Sequence, residues 1–476
     1  MGLRGDLNRP EYNTESYDHI EETGFKEVSA APLSTFSVDV DTAAYSNLRR
    51  FIQSGRKPPK DAVRIEEMLN YFTYEFDKPE RGEAFSVTSE LSACPWNEEN
   101  QLLQVALAAP ELKMENVPPR NLVFLLDVSG SMSSPDKLPL LKGALKLLVN
   151  SLRSEDTVSI VVYAGASGTA LEPTSGEQRE QILQALENLS AGGSTNGGAG
   201  IQLAYSLAAE NFQKGAINRV ILATDGDFNV GVASRGELKR LIEEKRASGV
   251  FLTVLGFGSG NLKDSSMEQL ADTGNGNYAY IDTLMEAKKV LVEEAGGTLV
   301  TVAKDVKLQL EFNPLRVKSY RLLGYENRRL ANEDFANDKK DAGEMGAGHS
   351  VTALYEIVPG ESGKTDLRYQ GGRETTDAAR SGELALVKVR YKAPDGDTSR
   401  LKEFPVTAQA TPFLKASENL RFAASVASVG MLLRDSEFKG DSSYNGALEW
   451  AKGALGEDEG GYRREFVKLV ELVRVL

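Results

Sequence analysis

Cysteine is nearly absent: the 476-residue chain holds one, Cys94. No intramolecular disulfide can form, and a Cys-ligated zinc fold is excluded. Histidine is almost as scarce, and His19 and His349 are too few for a His-rich metal site. Basic residues are in the minority, Lys+Arg 55 against Asp+Glu 69, for a net charge of -14. That balance argues against nucleic acid or an anionic membrane surface as the main partner, because both demand a basic face. Long apolar runs are missing too. None approaches the ~18 residues of a membrane span, and no signal-peptide core follows Met1. The opening MGLRGD lacks the Ser or Thr of a myristoylation signal. The expected location is thus the cytoplasm, or the cell envelope with the export signal absent from this sequence. A lipid anchor on a longer native precursor stays open.

What the chain does contain is enough apolar residue, 41%, to bury a substantial core over a length of two or three ordinary domains. Residues 1–35 are polar and acidic and read as a mobile arm. Helical spacing follows over Thr42–Ile52, with Asp41 or Thr42 as N-cap, and again at Ile65, Met68, Leu69 and Phe72. The period then drops to two at Phe85, Val87 and Leu91, and at Leu103, Val105 and Leu107, which describes strands with one buried and one wet face. Residues 36–118 therefore supply helices and the first strands of a β-sandwich.

Between 119 and 298 the pattern changes. Four runs, LVFLL, VSIVVY, VILAT and VFLTVLGF, are apolar almost throughout, as strands of a helix-covered parallel sheet are. Helix-forming segments alternate with them, among them Leu141, Leu145, Leu148 and Leu152 at helical spacing. A doubly wound α/β domain is the expected fold. Period two returns over 299–410, at Val306 to Phe312, Val351 to Ile357 and Val387 to Tyr391, with Glu326–His349 as a long loop. These strands are expected to join the earlier ones in a single antiparallel sandwich into which the α/β domain is inserted. Residues 411–476 are helical.

The stretch NLVFLLDVSGSMSS carries the chemistry. Its apolar strand ends in Asp127, and Ser129 and Ser131 follow at alternate positions on a loop. Ligands of open α/β sheets bind beyond the carboxyl ends of the strands, where this loop lies. SAGGSTNGGAG brings Thr195 before a helix, and VILATDGDFN ends another buried strand at Asp225. Two carboxylates and three hydroxyls are hard oxygen donors suited to Mg²⁺, Mn²⁺ or Ca²⁺. Five such donors leave an octahedral position open to an oxygen from elsewhere. The two carboxylates carry about two negative charges, which a divalent cation offsets, so an Asp or Glu of a protein partner fits the gap.

Other motifs have plainer readings. DVDTA at Asp39 places its threonine one position early for a phosphatase signature, and helix capping by Asp41 explains it better. Asp227 reads as a solvated loop residue, and DTGNGN from Asp272 as a turn into the last strand. His349 sits at a loop end as a structural hydrogen-bonder. Cys94 has no basic neighbour to make its thiol reactive.

Asp127, Ser129, Ser131, Thr195 and Asp225 fill every position of the metal-ion-dependent adhesion site of von Willebrand factor type A (VWA) domains, and the α/β region resembles that family. The resemblance implies that the serines bind the metal directly, the threonine directly or through water, and Asp225 through water. The flanks TFSVDVDTAAYSNLRRFI and LRFAASVASVGMLLR resemble bacterial YfbK-like proteins, over roughly residues 33–476. Members of that group commonly carry an export or lipoprotein signal. Three functions are then weighed. A metal-dependent adhesion or scaffold module of the bacterial cell envelope is favoured by the large β-rich companion region. A subunit of an intracellular ATPase-linked assembly, as in chelatases, is the alternative. An enzyme is disfavoured, because the three loops offer no histidine, lysine or tyrosine as acid or base.

Overall fold

The computed structural model describes residues 14–38, 41–112, 114–194, 197–226, 228, 235–294, 300–340, 342–362, 376–394, 396–407 and 409–476. Two short strands, β1 (Lys26–Glu27) and β2 (Leu33–Ser37), precede helices α1 (Ala43–Gln53) and α2 (Ile65–Asn70) and strands β3 (Ser86–Ala93) and β4 (Gln101–Ala108). The α/β region then runs β5 (Arg120–Asp127), α3 (Leu138–Asn150), β6 (Thr157–Tyr163), β7 (Ser167–Ser175), α4 (Arg179–Glu187), α5 (Gly197–Glu210), β8 (Ile217–Thr224), α6 (Arg235–Ala247), β9 (Phe251–Phe257), α7 (Asp264–Thr273), β10 (Tyr278–Ile281) and α8 (Leu284–Lys288). Strands β11 (Thr301–Phe312), β12 (Val317–Leu322), β13 (Gly343–Gly346) and β14 (Ser350–Pro359) follow. After them come the short α9 (Asp377–Arg380), β15 (Ala385–Lys392), β16 (Ser399–Val406) and helices α10 (Glu418–Arg434), α11 (Tyr444–Lys452) and α12 (Tyr462–Val473).

The chain divides into two compact units. One holds residues 118–293 with the segment up to Asp18, and the other holds 19–117 and 294–476. The first unit contains a six-stranded sheet of order β10-β9-β8-β5-β6-β7, in which only the β6–β7 pair is antiparallel. Strand β5 is buried at all eight positions, and this explains its unbroken apolar pattern. Leu122, Phe124 and Leu126 share a core with Leu141, Leu145 and Leu148 of α3 and Ile182 and Leu186 of α4. Helix α5 closes on the opposite face through Gly200, where a Cβ would crowd Leu125 and Tyr163. Each such fully buried Leu or Phe contributes ~1.5–3 kcal/mol. The antiparallel edge strand β7 is the exception in a sheet that is mostly parallel, as expected. Its outward residues are half-buried or exposed, so it lacks the apolar run that marked the others.

The second unit joins chain from both sides of the insertion. In one sheet, of order β1-β12-β14-β4-β3, the early strand β4 pairs antiparallel with the late strand β14, Val105 facing Ala353. The other sheet runs β13-β11-β15-β16, with β2 also on β11. Leu103, Val105 and Leu107 pack with Leu308, Leu310, Val387 and Val389 to form the core of the sandwich.

Four expectations meet a different outcome here. The supposed wet face of the central strands is covered, because Leu102 and Leu354 join Phe422, Val426 and Phe466 of the C-terminal helices in a second core. Alternation shows only that two faces differ, and a helical layer buries Gln104 and Thr352 as well. The polar arm, read as residues 1–35, contains β1 and the start of β2 and buries Val28, since sheet edges recruit short strands of little apolar content. The Glu326–His349 loop contains β13, paired with β11. Helix α1 begins at the expected place, yet Thr42 makes no side-chain cap. Glu67 of α2 accepts from Ala44 N at 2.8 Å instead, and Asp41 is drawn into a buried ion pair with Arg328 at 3.1 Å.

No helix among the described residues is long and apolar enough to cross a membrane.

Candidate functional site

Parallel pairing puts the carboxyl ends of β5, β6 and β8 side by side. Leu126 lies opposite Ala223 on β8, and Asp127 opposite Tyr163 on β6. Asp127 is therefore the last residue of a central strand, and Asp225 follows the end of its neighbour. Both are buried, at 0% and 1% exposure, which is unusual for carboxylates without partners of opposite charge on each oxygen.

The loop after Asp127 turns back on it. Ser129 N donates to Asp127 Oδ1 at 2.8 Å, and the chain enters a single 3₁₀ turn over Gly130–Ser133. The turn sets the Ser129 and Ser131 hydroxyls 2.9 Å apart, with Ser129 buried and Ser131 exposed. A second loop is fastened beside it. Gly192 N donates to Val128 O at 2.8 Å, and Gly130 N donates to Gly193 O at 3.0 Å. Gly193 adopts φ +82°, a conformation that side chains rarely take. Thr195, Asn196 and Asp227 lie outside the described residues, as does Asp39. Asp127, Ser129, Ser131 and Asp225 are brought to one end of one sheet.

The electrostatics are unbalanced. Burial raises the Asp127 carboxyl above its usual range; hydrogen bonds from Ser129 oppose this, and the charge of Asp225 adds to it. Among the described residues, Asp127 Oδ2 and Asp225 Oδ1 are both buried with no hydrogen-bond partner. The Tyr163 hydroxyl is buried close to Asp127, and burial, then the charge of Asp127, pushes its ionisation well up. Orphaned buried acceptors are costly unless something donates to them or coordinates them. Two carboxylate oxygens and a pair of serine hydroxyls are the donor set of a hard divalent cation, so these residues fit such an ion. No group of three or more His, Cys, Asp and Glu side chains gathers among the described residues, so the set depends on its hydroxyls.

One site neighbour corrects the expectation that the three loops offer no lysine. Lys137, directly before α3, donates from Nζ to Asp225 Oδ2 at 2.9 Å, with only 11% of its side chain exposed. Its stem lies over Gly258 of the loop after β9, where φ is +75° and a Cβ would collide with the stem. Tyr280 holds that loop by donating to Gly258 O at 2.7 Å. The next residues of the loop carry the N-terminal segment, since Thr14 N donates to Gly260 O and Ser16 N to Leu262 O. Eighty-eight residues separate Lys137 from Asp225, and no local pattern relates them.

Comparison with known proteins settles the family. The model "von Willebrand factor type A domain" matches residues 121–294, "von Willebrand factor" matches 11–104, and "Uncharacterized protein YfbK, C-terminal" matches 297–476. The Escherichia coli K12 protein YfbK is 46% identical over 469 residues, taking in 96% of this chain and 81% of that one. The chain belongs to the YfbK family of VWA proteins. A human relative, inter-alpha-trypsin inhibitor heavy chain H3, is 26% identical over 258 residues, 51% of this chain and 29% of its own length. Among solved structures, a von Willebrand factor type A protein from Catenulispora acidiphila is 18% identical at a TM-score of 0.42, covering 81% of this chain and 91% of its own. The VWA relationship carries a coarse function, that of a protein-interaction module.

Proposed function

We propose that the carboxyl end of the α/β sheet is a metal-ion-dependent adhesion site through which the chain captures a protein partner at the bacterial cell envelope. Asp127, Ser129, Ser131, Thr195 and Asp225 would hold the cation, Mg²⁺ in the first instance and Mn²⁺ or Ca²⁺ as substitutes. A bound divalent ion supplies Lewis acidity at a position left open to one further hard oxygen, which suits an Asp or Glu side chain of the partner. The observation that carries this reading is the pair of buried carboxylate oxygens, Asp127 Oδ2 and Asp225 Oδ1, that have no hydrogen-bond partner among the described residues.

The chain's own residues do the positioning. Ser129 N fixes the Asp127 carboxylate by binding Oδ1, which leaves Oδ2 free to coordinate. The Gly130–Gly193 hydrogen bond sets the two serines against the loop that leads to Thr195. Exposed Ser131 marks the side from which a partner can approach. The β-rich second unit supports a scaffold role more readily than a subunit role in an ATPase assembly.

Retention of envelope proteins on immobilised chain tests the reading. A partner should be retained in Mg²⁺, released by chelator, and lost on Thr195→Ala, which removes a neutral ligand and leaves the site charge unchanged. A partner whose retention survives both chelator and Thr195→Ala would move recognition away from this site.

A further inference from the structure

The VWA donor set places two carboxylates around a divalent cation, which together are electrically neutral. In this chain a third charge is built in. Lys137 Nζ sits 2.9 Å from Asp225 Oδ2, inside the same end of the sheet, with both side chains almost fully covered. The arrangement is held from several sides. Residue 137 is locked by its place before α3, its stem by Gly258, and the Gly258 loop by Tyr280. Asp136, the neighbouring carboxylate, is directed elsewhere and accepts from Ser134 Oγ at 2.5 Å.

We infer that Lys137 is a fixed counter-cation of the adhesion site, which weakens resting affinity for the metal and gives the loaded site one net positive charge for carboxylate capture. The inference rests on the adhesion-site reading above. Lys137 occupies one oxygen of Asp225 and leaves Oδ1 as the only free acceptor on that carboxylate. Direct coordination by both oxygens is thereby blocked, and Asp225 is biased toward a supporting contact. The charge consequence is separate from the geometric one. Two carboxylates, one ammonium and a divalent cation sum to one positive charge, whereas the same site without the lysine is neutral. In a buried site this difference acts at a low effective dielectric, where a unit charge is worth far more than in water. The chain as a whole repels anions, with a net charge of -14, so a positive centre at the mouth is the feature that makes an acidic side chain welcome at short range.

The two effects have opposite signs, and a merely structural lysine would produce neither. Mn²⁺ is titrated calorimetrically into the full chain, as wild type, Lys137→Met and Lys137→Arg. Acetate, the simplest carboxylate, is then titrated into each Mn²⁺-loaded protein and followed by the relaxation of water protons at the ion. Lys137→Met should bind Mn²⁺ at least about tenfold more tightly and acetate at least about tenfold more weakly, since one unit charge is removed from a buried site. Lys137→Arg, which keeps the charge, should restore both values toward wild type. Lys137→Gln serves the same comparison if the methionine variant does not fold. Equal Mn²⁺ affinity in wild type and the neutral variants would overturn the role of Lys137 while leaving the adhesion site standing. Absence of Mn²⁺ binding in every variant, folded by circular dichroism, would overturn the adhesion-site reading itself and this inference with it.

Discussion

At the N-terminal end of β5, the buried Asp156 carboxylate is fully engaged: Oδ1 accepts from Arg120 N and Arg153 Nη2, and Oδ2 from Arg120 Nη2 and Arg153 N, at 2.7 to 3.1 Å. At the other end of the same strand, Asp127 is just as buried, yet among the described residues neither its Oδ2 nor Oδ1 of neighbouring Asp225 has a hydrogen-bond partner. The two ends of β5 thus meet different surroundings: a satisfied carboxylate from the residue before β6 at its entry, and Asp127 with Asp225 from the end of β8 at its exit. Burial is common to both ends, so burial alone does not mark a functional group. What separates them is whether the protein itself completes the hydrogen bonding. A finished cluster contributes to the fold, whereas an unfinished one lies here at the carboxyl ends of the strands, where open α/β sheets bind ligands.

The contrast can be broken most forcefully at the finished end. Arg120→Met takes one of four donors and one of two guanidinium charges from buried Asp156, and should destabilise the first unit by about 3 kcal/mol. Both tryptophans, Trp96 and Trp450, belong to the other unit, so hydrogen exchange of β5 amides is the appropriate readout. Asp127→Asn at the unfinished end should shift metal-free stability by no more than about 1 kcal/mol, because it removes a buried charge that nothing pairs. A large loss there would erase the distinction between the ends.

Adding Mg²⁺ should sharpen the contrast from the other direction. At a free concentration a hundred times Kd, wild type should gain about 2.7 kcal/mol, and Asp127→Asn nothing. Hydrogen exchange of the same amides with and without Mg²⁺ measures this.

A pH series isolates the finished end. Burial works against ionisation of Asp156, but hydrogen bonds from Arg120 and Arg153 outweigh it and hold the carboxyl below its usual range. A carboxyl with a depressed native value stabilises the fold fully above its unfolded value of ~3.9, and loses that contribution as pH falls through the native value. Urea midpoints of the first unit should therefore drop below pH ~4 in wild type, and less steeply in Arg120→Met. Equal slopes would contradict the assignment.

The smallest effect is expected at Ser131. Its side chain is exposed, so Ser131→Ala should leave stability within ~0.5 kcal/mol, while Mg²⁺ affinity measured by calorimetry falls several-fold.

These two ends were not equally legible. Asp127, Ser129, Ser131 and Asp225 could be read because uninterrupted apolar runs locate strand ends, and the carboxyl end of a parallel strand has a known use. The insertion could be read as well, since strands of alternating pattern flank a region of the opposite kind. Lys137 could not be, because a lysine before a helix looks the same whether it faces water or a carboxylate 88 residues away. The Arg120–Asp156 pair is hidden for the same reason, although only 36 residues separate its members. Strands β1, β2 and β13 owe their existence to open positions on β12 and β11, and nothing in their own composition announces pairing. The covering of Gln104 and Thr352 by helices is likewise a fact of tertiary packing.

The account turns on the unfinished end being a cation site. Calorimetric titration of Mg²⁺ into the metal-free full chain, beside Asp127→Asn under the same conditions, tests that claim most directly. One cation bound per wild-type chain and none by the folded variant is the expected result. No binding by wild type, or equal binding by both proteins, would contradict it.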